Sequence, residues 1–101
     1  MTDKVAIVGA GLVGRAWAIT FARGGHHAML FDADDKAVAS ALSTVENMLR
    51  TLELRGMLKG QTAADVRSRI TGAATLEVAL AGAAHVQENV SEDKGPAAWR
   101  Y

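Results

Sequence analysis

Residues 5–17, VAIVGAGLVGRAW, decide how this chain folds. Val5 to Val8 is a short apolar run that ends at Gly9, which reads as a buried strand closed by turn chemistry. Gly9, Gly11 and Gly14 then make the pattern G-x-G-x-x-G. From Leu12 to Arg23 a helix is expected. Its apolar stripe is read as Leu12, Val13, Ala16, Trp17, Ile19, Thr20 and Phe21, and Gly24-Gly25 supplies the stop. Ala28 to Phe31 is a second apolar run, closed by Asp32. Strand, tight turn, helix, turn and strand make a βαβ unit, with a right-handed crossover expected.

A lone G-x-G-x-x-G is a weak signal, because any tight turn can carry it. Its context here is specific. It follows a strand, opens a helix, and an acid closes the next strand 18 residues beyond Gly14. That context turns the pattern into a dinucleotide-binding hypothesis. Gly9 lets the chain turn sharply off the strand. Gly11 has no Cβ, so a pyrophosphate can approach the backbone. Gly14 allows close packing of the helix. The N–H groups near Leu12 and Val13 are free donors at a helix start, where the helix dipole also attracts an anion. Asp32 is placed to accept hydrogen bonds from ribose hydroxyls. Its charge repels a 2′-phosphate, so NAD is expected over NADP. Arg23 lies too early to offset that charge.

The rest of the chain extends the alternation. Asp34 and Asp35 suit a helix start. Val38, Ala41, Leu42, Val45, Met48, Leu49 and Leu52 recur at three- and four-residue spacing, which predicts an amphipathic helix to about Arg55, stopped by Gly56. Thr62 is expected to cap a short helix through Ser68. Ile70-Thr71 reads as a brief third strand, Thr75 to Leu80 as a short helix, and Ala84 to Val90 as a buried fourth strand. The whole is an α/β, Rossmann-type parallel sheet with helices on both faces, in the order 3-2-1-4, ending after the fourth strand.

Composition narrows the function. The chain has 101 residues, 50% of them hydrophobic, which suits one globular domain. Eleven basic and 11 acidic residues balance, so nothing in the charge favours nucleic acid or an acidic membrane as partner. No apolar run approaches a membrane span, and no secretory leader is evident. With no cysteine, thiolate metal sites are excluded and a reducing, cytoplasmic setting is expected.

Other polar and aromatic residues read as structural. His26 and His27 belong to the turn after the first helix. His85, at the start of the fourth strand, is expected to be a hydrogen-bonded structural residue. Trp17 and Met48 are assigned to the core. Gln87 and Glu88 are costly in a buried strand unless paired. They lie near its carboxyl end, where open α/β sheets bind ligands, so a cofactor-side role is considered for one of them.

The stretch VAIVGAGLVGRAWAITFARGGHHAMLFDAD resembles the start of the 3-hydroxyacyl-CoA dehydrogenase family. GRAWAITFARGG and AAHVQENVSED are similar to its lambda-crystallin branch, which includes L-gulonate 3-dehydrogenase. The likeness runs from about Lys4 to Asp93. It implies NAD-dependent oxidation of a secondary alcohol to a ketone. It implies a cofactor site of Gly9, Gly11, Leu12, Val13, Gly14 and Asp32, in which Leu12 and Val13 lie over the pyrophosphate and Asp32 binds the ribose. It further implies that Glu92 lies on the nicotinamide side, and that the helix from about Asp35 corresponds to an arm that helps hold CoA in acyl-CoA members.

The likeness stops after Asp93. Lys94-Gly95-Pro96-Ala97-Ala98-Trp99 replaces a lysine-rich helix, and Ala97 stands where the family has a cofactor-contacting lysine. The expected organisation is therefore an incomplete NAD-binding domain over 1–93, a divergent tail over 94–101, and no helical C-terminal domain. The family's catalytic histidine, its serine and its asparagine have no counterparts. No catalytic residue is assigned, and no turnover is expected from the chain alone. The small hydroxy substrate belongs to the full-length relative. A non-catalytic nucleotide-binding module is the alternative. A flavoprotein start is a further one, though the long helix directly after the second strand speaks against it. The fourth strand is expected at a sheet edge, which invites self-association.

Overall fold

The computed structural model describes residues 3–89. Four strands, β1 (Lys4–Val8), β2 (His27–Phe31), β3 (Ile70–Gly72) and β4 (His85–Glu88), form one parallel sheet in the order β3-β2-β1-β4. Between them run helices α1 (Leu12–Arg23), α2 (Asp35–Leu54), α3 (Ala63–Arg67) and α4 (Leu76–Leu80). The expected Rossmann-type α/β architecture and strand order are both present. Among the described residues no helix is long and apolar enough to cross a membrane.

The two-residue period of the strands divides the core into two layers. Val5 and Ile7 of β1, Ala28 and Leu30 of β2, and Ile70 of β3 pack with α1, α2 and α3 in one buried cluster. Ala6 of β1 points the other way, into a smaller cluster with Ala73, just after β3, and Ala79 of α4, flanked by Met29 and Phe31. Helices therefore cover both faces, heavily on one and lightly on the other.

The second helix follows its sequence pattern. Asp34 Oδ1 accepts a hydrogen bond from the Lys36 N–H at 3.0 Å, satisfying one free donor of the first turn. Ala41, Val45 and Leu49 are fully buried, with Val38, Leu42, Met48 and Leu52 partly so. Gly56, at φ +68°, carries the chain out of the helix in a conformation that glycine adopts at little cost. A capping box opens α3. Asp65 N–H donates to Thr62 Oγ1 and Thr62 N–H donates to Asp65 Oδ2, each at 3.1 Å. The Thr62 N–H, and after it the Thr62 hydroxyl, hold the Asp65 carboxyl below its ordinary value.

Side chains from the α2–α3 region close the end of α1. Arg69 Nη1 donates to the Ala22 carbonyl at 3.0 Å and to Gln61 Oε1 at 2.7 Å, and Gln61 Nε2 donates to the Arg23 carbonyl at 2.9 Å. These are carbonyls of the last helical turn, and the Ala22 carbonyl also accepts from the Gly25 N–H at 3.0 Å.

Two expectations need correction. The buried stripe of α1 is Gly14, Ala18, Ile19 and Ala22, while Leu12, Val13, Ala16, Trp17 and Thr20 are exposed. Small residues four apart let the helix axis approach the sheet, and the large apolar side chains are left outside. Trp17, assigned to the core, is 37% exposed and stacks on Phe21 at 5.6 Å between ring centroids. The fourth strand is shorter than expected and is not buried. Among the described residues it pairs with β1 alone, at the sheet edge, and Val86 is 40% exposed.

Candidate functional site

The loop between β1 and α1 lies at the carboxyl ends of the strands. Gly9 N–H donates to the Phe31 carbonyl at 2.7 Å, and Asn89 N–H donates to the Val8 carbonyl at 2.8 Å. These bonds bring three chain segments together where β1 separates β2 from β4. That is the topological switch point at which open α/β sheets bind ligands. A cleft of about 490 Å³ opens there, lined by Gly9, Gly11, Leu12, Val13 and Gly14 from the loop and helix start, by Asp32 and Ala33 after β2, and by Asn89 after β4.

The three glycines are needed for different reasons. Gly9 has φ +101°, and a Cβ there would collide with the Asn89 carbonyl. At Gly14 a Cβ would collide with the carbonyl of Gly9, so this glycine lets α1 press against its own preceding loop. At Gly11 a Cβ would meet nothing within 4 Å, and the backbone has φ −74°. Neither packing nor backbone conformation demands a glycine there. What a side chain at Gly11 would fill is the cleft.

The helix start is open to a ligand. Gly11 is the N-cap, no side chain caps it, and no acid stands in the first turn. Leu12 and Val13 are 74% and 59% exposed, so their N–H groups sit at an uncovered positive helix end.

Asp32 closes the other side. Its Oδ2 accepts from the Ala10 N–H and its Oδ1 from the Asp34 N–H, both at 2.9 Å. A carboxylate has about four acceptor positions, so two such bonds leave capacity for hydroxyl donors. Arg15 reaches back from α1, with Nε donating to the Ala10 carbonyl at 3.1 Å and Nη1 to Thr44 Oγ1 of α2 at 3.3 Å.

The predicted residues Gly9, Gly11, Leu12, Val13, Gly14 and Asp32 thus line one cleft. Glu92 lies outside the described residues. Gln87 and Glu88 do not line the cleft. Gln87 Oε1 bonds His85 Nε2 at 3.2 Å, and Glu88 is exposed. His85 has the hydrogen-bonded role expected of it and also lies 5.6 Å from the Phe21 ring. His26 is in the turn, accepting from the Asp3 N–H at 3.3 Å, whereas His27 is the first residue of β2. Sequence reasoning missed Asn89, whose Nδ2 donates to the Val8 and Gln87 carbonyls at 3.4 Å. Its signal was its place, the first residue beyond the strand at the switch point. Among the described residues no three His, Asp or Glu side chains gather as a metal site.

The arrangement joins anion-binding backbone donors to a carboxylate acceptor across one groove, which suits a phosphate flanked by hydroxyls. Comparison with known proteins agrees. The family model described as 3-hydroxyacyl-CoA dehydrogenase, NAD binding domain, matches residues 4–95. A lambda-crystallin homolog from Bos taurus is 44% identical over 90 residues, which are 88% of this chain and 28% of that protein. A 3-hydroxybutyryl-CoA dehydrogenase from Escherichia coli K12 superposes with a TM-score of 0.79 at 29% identity, over 89% of this chain and 19% of that one. An (S)-3-hydroxybutyryl-CoA dehydrogenase from Ralstonia eutropha gives 0.77 at 30% identity, over 89% and 31%. The chain therefore spans less than a third of each of these relatives.

Proposed function

The chain belongs to the 3-hydroxyacyl-CoA dehydrogenase family, as its NAD-binding domain, and on that premise we propose that it is the cofactor-holding part of an oxidoreductase that converts a secondary alcohol to a ketone. The observation that carries the reading is the cleft itself. An open Gly11, an uncapped helix start and the Asp32 carboxylate face one groove.

When bound, NAD supplies the hydride acceptor. The Leu12 and Val13 N–H groups hold the pyrophosphate, with the α1 dipole adding to the attraction. Asp32 holds the ribose hydroxyls and disfavours a 2′-phosphate by like charge. Glu92 is assigned to the nicotinamide side by family likeness.

The same cleft supports binding without turnover. Oxidation of an alcohol needs a base within hydrogen-bond reach of the hydroxyl. Asp32 is the one titratable side chain among the described lining residues, and backbone N–H groups engage both its oxygens. A hydroxyacyl-CoA or a sugar acid is the substrate class for a protein that carries the rest of the family's machinery. Fatty-acid metabolism and a cytoplasmic location go with the acyl-CoA form of this reading. A non-catalytic nucleotide-binding module is the second reading, supported by Asp32 being the one titratable side chain among the described lining residues. The exposed β4 edge supports self-association as a further property.

Calorimetric titration with NAD and NADP tests the binding. NAD should bind, and NADP should bind at least about tenfold more weakly, a difference of about 1.4 kcal/mol. Equal affinity for the two would remove Asp32 from its role. NADH appearing from NAD and 3-hydroxybutyryl-CoA or L-gulonate, with this chain alone, would refute the absence of turnover.

A further inference from the structure

Ala10 sits between two glycines of the loop and is fully buried. Its peptide groups are shut off from water, so each needs a partner. Two side chains of opposite charge supply them. The Ala10 N–H donates to Asp32 Oδ2 at 2.9 Å, and the Ala10 carbonyl accepts from Arg15 Nε at 3.1 Å.

These two bonds act on different peptide planes. The N–H belongs to the Gly9–Ala10 peptide and the carbonyl to the Ala10–Gly11 peptide. A trans peptide is rigid, and its C=O and N–H point in opposite directions. Turning the Ala10 carbonyl toward Arg15 therefore turns the Gly11 N–H away from Arg15. Gly11 lines the cleft and Arg15 does not. The guanidinium is in turn anchored on α2, through Nη1 to Thr44 Oγ1 at 3.3 Å. A planar fork can hold two acceptors at once in a fixed geometry, which a lysine ammonium does not reproduce.

We propose that Arg15 is a positioning residue for the diphosphate of the dinucleotide: it locks the Ala10–Gly11 peptide to α2 and so sets the aim of the backbone donors in the cleft. Asp32 fixes the neighbouring peptide and serves the adenosine end. The loop is thus held from two sides, and the two holds affect different parts of the ligand. This inference rests on the dinucleotide-binding reading of the site.

The test compares ADP with adenosine on the whole chain by calorimetry or NMR titration. Arg15→Met should weaken ADP about tenfold, the equivalent of one hydrogen bond to a charged group. Adenosine should stay within about twofold, since its contacts lie at Asp32. Arg15→Lys should restore part of the ADP loss, and Thr44→Val, which removes only the outer anchor, should show a smaller loss confined to ADP. Unchanged ADP affinity in Arg15→Met, or equal losses of ADP and adenosine, would overturn the proposal. If Arg15→Met does not fold by circular dichroism, Arg15→Lys and Thr44→Val decide. A loss confined to ADP in either supports the proposal, and wild-type affinity in both overturns it. A wild-type chain that binds neither ligand would overturn the dinucleotide reading and this inference with it. Wild-type binding that Arg15→Met leaves intact overturns this inference alone.

Discussion

The Asp32 carboxylate accepts a hydrogen bond from the backbone N–H of Ala10 at 2.9 Å, across 22 residues of sequence. The acid that closes the second strand is therefore also part of the glycine loop. Two effects of Asp32→Ala should be separable. Leaving the buried Ala10 N–H without a partner should cost about 1–3 kcal/mol of stability, read by urea unfolding. NAD affinity should also fall, with a smaller gap between NAD and NADP. Asp32→Asn keeps an acceptor oxygen, so it should recover much of the stability while leaving the cofactor preference relaxed.

The glycines should respond in opposite ways. Gly11→Ala has open space and an ordinary backbone conformation, so its unfolding free energy should fall by no more than about 1 kcal/mol, the cost of a poorer N-cap residue. Its NAD affinity should drop, because the new methyl stands in the cleft. Gly14→Ala drives a Cβ into the Gly9 carbonyl. It should lose stability and binding together, by at least the 1–3 kcal/mol typical of overpacking. Paired denaturation and titration experiments check both.

Arg69 joins α1 to the α2–α3 loop through the Ala22 carbonyl and Gln61. Arg69→Met removes both of these charge-assisted bonds, while the Ala22 carbonyl keeps its bond from the Gly25 N–H at 3.0 Å. A loss of about 1–3 kcal/mol is expected in urea unfolding. The cleft lies at the other end of α1, so NAD affinity per folded molecule should not change.

Acid should weaken the start of α3. Thr62 holds the Asp65 carboxyl below its ordinary value of 3.8. A depressed folded value means that the carboxylate stabilises the fold above the unfolded value, and that this contribution disappears as the pH falls through the folded value. The stability difference between wild type and Asp65→Ala should therefore be largest near neutrality and should shrink below about pH 4. Thermal melts across that range measure it. A difference that does not vary with pH would assign the capping effect to packing instead of charge.

The proposed self-association through the β4 edge has its own test. Val86 is exposed there, and a lysine on an edge strand discourages further pairing. Val86→Lys should raise the monomer fraction in sedimentation experiments.

Much of the fold was legible because its signals are local. The 3- and 4-residue spacing from Val38 to Leu52 specifies α2, and Asp34, Thr62 and Thr75 each cap the helix that follows. The glycine pattern placed the loop, and Asp32 lines the cleft beside it. The failures had a shared cause. On α1, seven apolar-looking positions did not reveal which of them faced the sheet. The answer came from Gly14, Ala18 and Ala22, whose small size carries little hydropathy but permits close approach. Val86 is apolar and still exposed, because burial of a strand depends on its neighbours in the sheet.

The sequence by itself determined the order of elements, their caps, the glycine loop and the acid that faces it, since each depends on residues a few positions apart or on a repeated spacing. Only the tertiary structure decided that Asn89 meets Val8 from 81 residues away, that Asp32 holds the Ala10 N–H from 22 residues away, and that Thr44 of α2 anchors Arg15 from 29 residues away. Those contacts arise from strand order and helix packing, which bring distant residues within hydrogen-bond range, and no local pattern in the chain encodes a distance.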